Sequence, residues 1–120
     1  LDSGSSFFLP RRDGLAKAKE LMLTHRTVLA EEALAIGLVD RVYPLETFMD
    51  EVTAFAEELA QGPTLAFAFG KKLLNESFDN DLNTMLDHEK YLQSVCTESD
   101  DYREGVSAFL EKREHVYHGK

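Results

Sequence analysis

Four segments repeat apolar side chains at the i, i+3, i+4 spacing that lines them along one helix face, and short breaking sequences separate them. Phe48, Val52, Phe55, Ala56 and Leu59 form a stripe within residues 45–60, closed by Gly62-Pro63. Residues 64–78 carry Leu65, Ala68, Phe69 and Leu73 on one side and Lys72 and Glu76 on the charged side. The turn sequence Asp79-Asn80-Asp81 precedes Leu82, Met85, Leu86, Leu92 and Val95, which predict a long helix to residue 97. Ser99-Asp100-Asp101 reads as a cap for a last helix over 102–113, with Val106, Phe109 and Leu110 on one face. A chain patterned in this way is mainly α.

The first third is more broken. Asp2 precedes Ser3-Gly4 and the apolar group Phe7, Phe8, Leu9, the order of an N-cap before a short helix, which Pro10 is expected to limit. Gly14 marks a break, and Leu15, Ala18, Leu21 and Met22 resume the helical spacing over 15–23. Residues 30–36 predict a short helix with acids in its first turn and Gly37 at its C-terminal end. Leu38-Val39-Asp40-Arg41-Val42-Tyr43 is β-prone and stops at Pro44, so one short strand is predicted near 38–43. The chain opens on Leu1 rather than Met, in turn-like sequence, so its start reads as an interior point of a longer protein.

Length and composition narrow the class. With 120 residues, 43% of them hydrophobic and 29% charged, one globular domain over 1–120 is expected. A formal charge of -9 repels phosphate polymers and anionic lipid, which argues against nucleic acid or a membrane as partner. No apolar run approaches spanning length, and the single Cys96, at helical spacing from Leu92, reads as a buried thiol in a reducing, cytoplasmic setting. His115 and His118 have the i, i+3 spacing of metal ligands, but no third ligand accompanies them and the tail is expected to fray, so no metal is assigned.

Three stretches together resemble the crotonase family, the enoyl-CoA hydratases and isomerases. They are Asp2-Ser3-Gly4-Ser5-Ser6-Phe7-Phe8-Leu9-Pro10-Arg11, then Leu23-Thr24 with the run from Ala30 to Val42 through Ile36-Gly37-Leu38-Val39-Asp40, then Asp101-Tyr102-Arg103-Glu104-Gly105-Val106-Ser107-Ala108-Phe109-Leu110-Glu111-Lys112-Arg113. The resemblance implies the C-terminal, helical portion of a ββα-spiral fold. It also implies that the backbone N–H groups holding the thioester oxygen, and the two Glu of the hydratases, lie upstream of Leu1. Such donors are commonly the largest single contribution to enolate chemistry, so the isolated fragment is expected to be inactive.

Within the resemblance three residues stand out. A carboxylate at Asp2, where the hydratases usually carry Gly, is similar to the dienoyl-CoA and ring-epoxide phenylacetyl-CoA isomerases, in which it transfers a proton; this favours isomerisation over hydration. The alternative for Asp2 is an N-cap, which would stabilise the first helix by ~1 kcal/mol. Phe109 and Lys112, three apart, correspond to residues that approach the adenine and phosphate end of coenzyme A, often in a neighbouring subunit; the other reading is a core Phe and a solvated Lys. The implied substrate is an acyl-CoA, the thioester itself with no separate cofactor, and the implied assembly a homotrimer or hexamer. A purely structural module that covers the active site and joins subunits is the alternative function. His25, where the family usually has Gly, and Arg12-Asp13, where it has an apolar pair, depart from the pattern.

Overall fold

The structure, a computed structural model, describes residues 2–120, and the expectation placed on Leu1 lies outside them. The described residues form six helices in two compact units, residues 2–48 and 49–120.

In the first unit, α1 spans Ser5–Thr24. Gly14, at φ 78 and ψ 159, interrupts it, a conformation in which a Cβ is strained. Pro10 does not end the helix as the sequence suggested; the first half runs on to Asp13. A proline already has a helical φ, and its missing N–H costs one bond in a segment that Gly14 stops four residues later. Arg11 lies over the Phe7 ring, 3.5 Å from its centroid, and donates to the Phe7 carbonyl at 3.1 Å. At the other end His25 takes the left-handed C-cap, φ 51 and ψ 24, and its N–H donates to the Leu21 carbonyl at 3.2 Å.

The second helix, α2, spans Ala30–Ala35, with Glu31 and Glu32 in its first turn. Gly37 follows at φ 83, and the Val39 N–H returns to the Ala33 carbonyl at 3.2 Å. Arg26 ties the two helices together, donating to Glu20 Oε1 at 2.9 Å and to Glu32 Oε2 at 2.9 Å. The guanidinium fork lowers both carboxyl pKa values; at Glu20 the first cause is Lys17, and at Glu32 it is Arg26 itself.

The strand predicted near 38–43 is not formed: residues 38 and 40 are bends, and no strand occurs among the described residues. A β-prone sequence needs a neighbour for its N–H and C=O groups, and none of the described residues supplies one. Val39 and Val42 are exposed, and Asp40 is held instead by Arg12 at 2.5 Å.

The second unit carries α3 (Phe48–Ala60, whose first residue closes the first unit), α4 (Thr64–Glu76), α5 (Leu82–Thr97) and α6 (Asp100–Glu111). Asp81 caps α5 by accepting the Thr84 N–H at 2.8 Å, and Ser99 caps α6 by accepting the Tyr102 N–H at 3.1 Å. Helix α4 packs on α5, and α5 on α6. Met85 and Leu92 of α5 and Ala108 of α6 are buried, whereas α3 and α4 have no buried residue. Large apolar side chains therefore remain open to solvent, among them Met49, Leu74, Leu86 and Leu110.

Candidate functional site

Asp2 lies in the first unit, exposed, just before α1. It is not the N-cap. Gly4 holds that position, at φ 77 and without a side-chain bond, and Asp2 serves the helix start only through its carbonyl, which accepts the Ser5 N–H at 3.0 Å. The Asp2 carboxylate makes no capping bond to α1.

Phe109 and Lys112 lie in the second unit, at the C-terminal end of α6. Phe109 is 82% exposed, so it is no core residue. Lys112 is the C-cap of α6 in the left-handed region, φ 55 and ψ 40, and the Arg113 N–H closes the helix on the Ala108 carbonyl at 3.1 Å. Glycine is the residue such an end ordinarily selects, and a lysine there carries backbone strain. The Lys112 ammonium makes no ion pair with any of the described residues, in a chain whose formal charge is -9.

Beside Phe109 opens a cavity of about 430 Å³ between α4, α5 and α6. Its walls are mostly apolar or aromatic: Leu65 and Ala66 from α4, Tyr102, Val106 and Leu110 from α6, and Tyr117 from the C-terminal segment. Cys96 reaches it as well, half-buried and free rather than fully buried as its spacing suggested.

Tyr117 was not singled out by sequence, because residues 114–120 were expected to fray. They are held instead. The buried Asp101 carboxylate, 4% exposed, accepts the His118 N–H through Oδ1 at 2.7 Å and the Gly119 N–H through Oδ2 at 2.8 Å. The Asp101 N–H donates in turn to the Lys120 carbonyl at 3.0 Å. One turn along α6, Glu104 accepts the Val116 N–H at 3.0 Å and both terminal nitrogens of Arg113, at 2.5 and 2.8 Å. Those donors, the Arg113 fork first and the Val116 N–H next, hold the Glu104 carboxyl down to about 2. Between the two acids sits Gly105, where any Cβ would lie 3.0 Å from the Tyr117 hydroxyl.

His115 stacks on Tyr117, ring centroids 4.3 Å apart, rather than joining His118 around an ion. Among the described residues no group of three or more His, Cys, Asp or Glu is placed to hold a metal. No helix among them is long and apolar enough to cross a membrane.

The sequence model of the enoyl-CoA hydratase/isomerase family matches residues 1–120. The 1,2-epoxyphenylacetyl-CoA isomerase of Escherichia coli is 40% identical over 119 residues, covering 99% of this chain and 45% of that protein. A short-chain-enoyl-CoA hydratase of Clostridioides difficile is 36% identical over 106 residues, covering 88% of this chain and 68% of its own length. Among solved structures, an enoyl-CoA hydratase/isomerase from Cupriavidus metallidurans superposes with a TM-score of 0.91 at 36% identity, over 98% of this chain and 44% of the other. The chain thus spans less than half the length of the Escherichia coli isomerase and of the Cupriavidus enzyme. By fold and by sequence, the chain belongs to the enoyl-CoA hydratase/isomerase family.

Proposed function

We propose that these 120 residues supply the distal part of an acyl-CoA isomerase, with Asp2 as the group that moves a proton along the acyl chain and Phe109 with Lys112 at the nucleotide end of coenzyme A. The observation that carries the reading is the state of Asp2: an exposed carboxylate, spared from capping because Gly4 takes that place, beside a helix start in a chain of this family. A carboxylate over a thioester acyl chain can accept a proton from one carbon and return it to another, provided the enolate oxygen meets hydrogen-bond donors. Those donors are assigned to the portion of the subunit outside these residues. The relatives bear both hydratase and isomerase names, and the carboxylate favours the second.

At the other end, an aromatic face and an unpaired ammonium suit an adenine and its phosphates, which an acidic protein would otherwise repel. The reading needs no metal and no redox cofactor. The decisive experiment is Asp2→Asn in the complete subunit. Isomerase turnover should fall at least 100-fold with acyl-CoA binding retained, in line with the roughly 10²–10⁴-fold contribution of a general acid–base. Unchanged turnover would remove Asp2 from the mechanism.

A second reading, a module that covers the active site and joins subunits in a trimer or hexamer, draws on the exposed apolar side chains. Leu45, Leu23 and Leu74 are 88%, 77% and 72% exposed, far beyond what scattered surface leucines require. The two roles are compatible in one protein. Sedimentation of the 120-residue chain separates them from a self-sufficient domain: self-association is expected, and a compact monomer that binds no hydrophobic dye would overturn the covering role.

A further inference from the structure

We propose that residues 116–119 form a strap from the first turn of α6 to the start of α4, closing one side of the cavity between these helices and controlling the entry of apolar molecules to Cys96. This holds wherever an acyl-CoA sits on the complete subunit.

Helices α4 and α6 each pack on α5, and both line the cavity of about 430 Å³. The strap that crosses between them has no regular secondary structure. On α6 it is held through its main chain: the His118 and Gly119 N–H groups donate to the two oxygens of Asp101, and the Val116 N–H donates to Glu104. A carboxylate as buried as Asp101 is costly unless its oxygens are satisfied, and two consecutive backbone N–H groups satisfy them here.

On α4 the strap meets Thr64, the first residue of the helix. A Cβ built on Gly119 would lie 2.5 Å from Thr64 Oγ1, and Gly119 is itself left-handed, at φ 74, where a side chain is strained. Between the two ends Tyr117 passes over Gly105, whose own Cβ would lie 3.0 Å from the phenol oxygen, and reaches the cavity with Pro63 and Leu65. Two positions without side chains thus let the strap lie against both helices.

The two attachments are unequal. Every hydrogen bond that residues 116–119 make among the described residues goes to α6, whereas Gly119 meets α4 by contact alone. Parting the strap from Thr64 breaks none of these bonds, so it opens at α4 while still anchored on α6. Cys96 of α5, half-buried and free, lines the space behind it. Asp101 is the one charged residue in the lining and its oxygens are already taken, so the molecule admitted is apolar and uncharged.

The test is the rate at which N-ethylmaleimide, small and neutral, labels Cys96 in the complete subunit, read from the mass of the peptide that carries it. Gly119→Ala and Asp101→Asn should each raise the rate about tenfold, the shift in opening that a strained left-handed residue or a lost charge-assisted bond brings. The α5 amides should keep their protection from hydrogen exchange in both variants, because the helices stay packed. Labelling at the wild-type rate in both would overturn the strap as a gate. A rise accompanied by equal loss of α5 protection would overturn it too, since unfolding alone would then expose the thiol. Should either variant fail to fold, Tyr117→Ala, which keeps both attachments and takes the ring from the cavity edge, decides by the same measure.

Discussion

The Asp101 carboxylate accepts the His118 N–H at 2.7 Å across 17 residues of sequence, so that the first turn of the last helix holds the chain that leaves its far end. With the neighbouring bond to Gly119 at 2.8 Å, a single side chain organises the tail. Hydrogen bonds to a charged group contribute about 1.5–3 kcal/mol each, and Asp101→Ala, which removes both, is expected to destabilise the second unit by about 3 kcal/mol. Hydrogen exchange should show the His118 and Gly119 amides losing protection while the α5 amides keep theirs. Retained protection at both tail amides would contradict the clamp.

Glu104 makes the same tail sensitive to acid. Its folded-state pKa lies at about 2, below the ordinary 4.5, because Arg113 and the Val116 N–H favour the charged form. A depressed carboxyl contributes stability above its unfolded value and loses that contribution as pH falls through the folded one. The window for Glu104 therefore runs from about 4.5 down to about 2. The Val116 amide should lose protection relative to its intrinsic exchange rate within that window, and Glu104→Gln should remove the pH dependence of that protection. The chain has no Trp, so tyrosine emission offers a second measure of the same release.

Replacing Asp13 is expected to stabilise the fold. Both of its carboxylate oxygens are shielded from water and have no hydrogen-bond partner among the described residues, immediately before the Gly14 break. Its sequence neighbour Arg12 is turned to Asp40. A desolvated, unsatisfied carboxylate costs about 1–3 kcal/mol or more, so Asp13→Val should raise the unfolding midpoint in urea at unchanged slope. A lower midpoint would mean that Asp13 has a partner in the folded protein.

These residues also mark what sequence could and could not reveal. Asp81 and Ser99 cap the helices that their positions suggest, and Gly14, His25 and Gly37 fall where the helical spacing breaks, because such signals act within one turn of chain. Phe109 and Lys112 came forward only through family resemblance, since an exposed Phe and a C-terminal Lys are otherwise unremarked. What local signals missed depends on distant partners. The bonds that hold residues 116–119 cross 12 to 18 positions, and Asp101 reads locally as part of a cap. The strand over 38–43 is absent for the same reason in reverse: its β-prone residues find no strand to pair with among the described residues.

Lys112 joins the two kinds of information, for its backbone and its side chain make opposing demands. At φ 55 and ψ 40 it occupies a left-handed position that glycine fills without strain, and a non-glycine residue pays about 1–2 kcal/mol there. Lys112→Gly should therefore stabilise the complete subunit by about 1 kcal/mol in denaturant. If the ammonium meets the phosphates of coenzyme A, the same change should weaken CoA-thioester binding by about tenfold, the value of one exposed charge contact. His25→Gly supplies the control, since His25 also sits left-handed, at φ 51, in the first unit. It should gain similar stability with no loss of binding. Were Lys112→Gly to stabilise the subunit and bind CoA thioesters as before, the lysine would be a strained cap without a ligand.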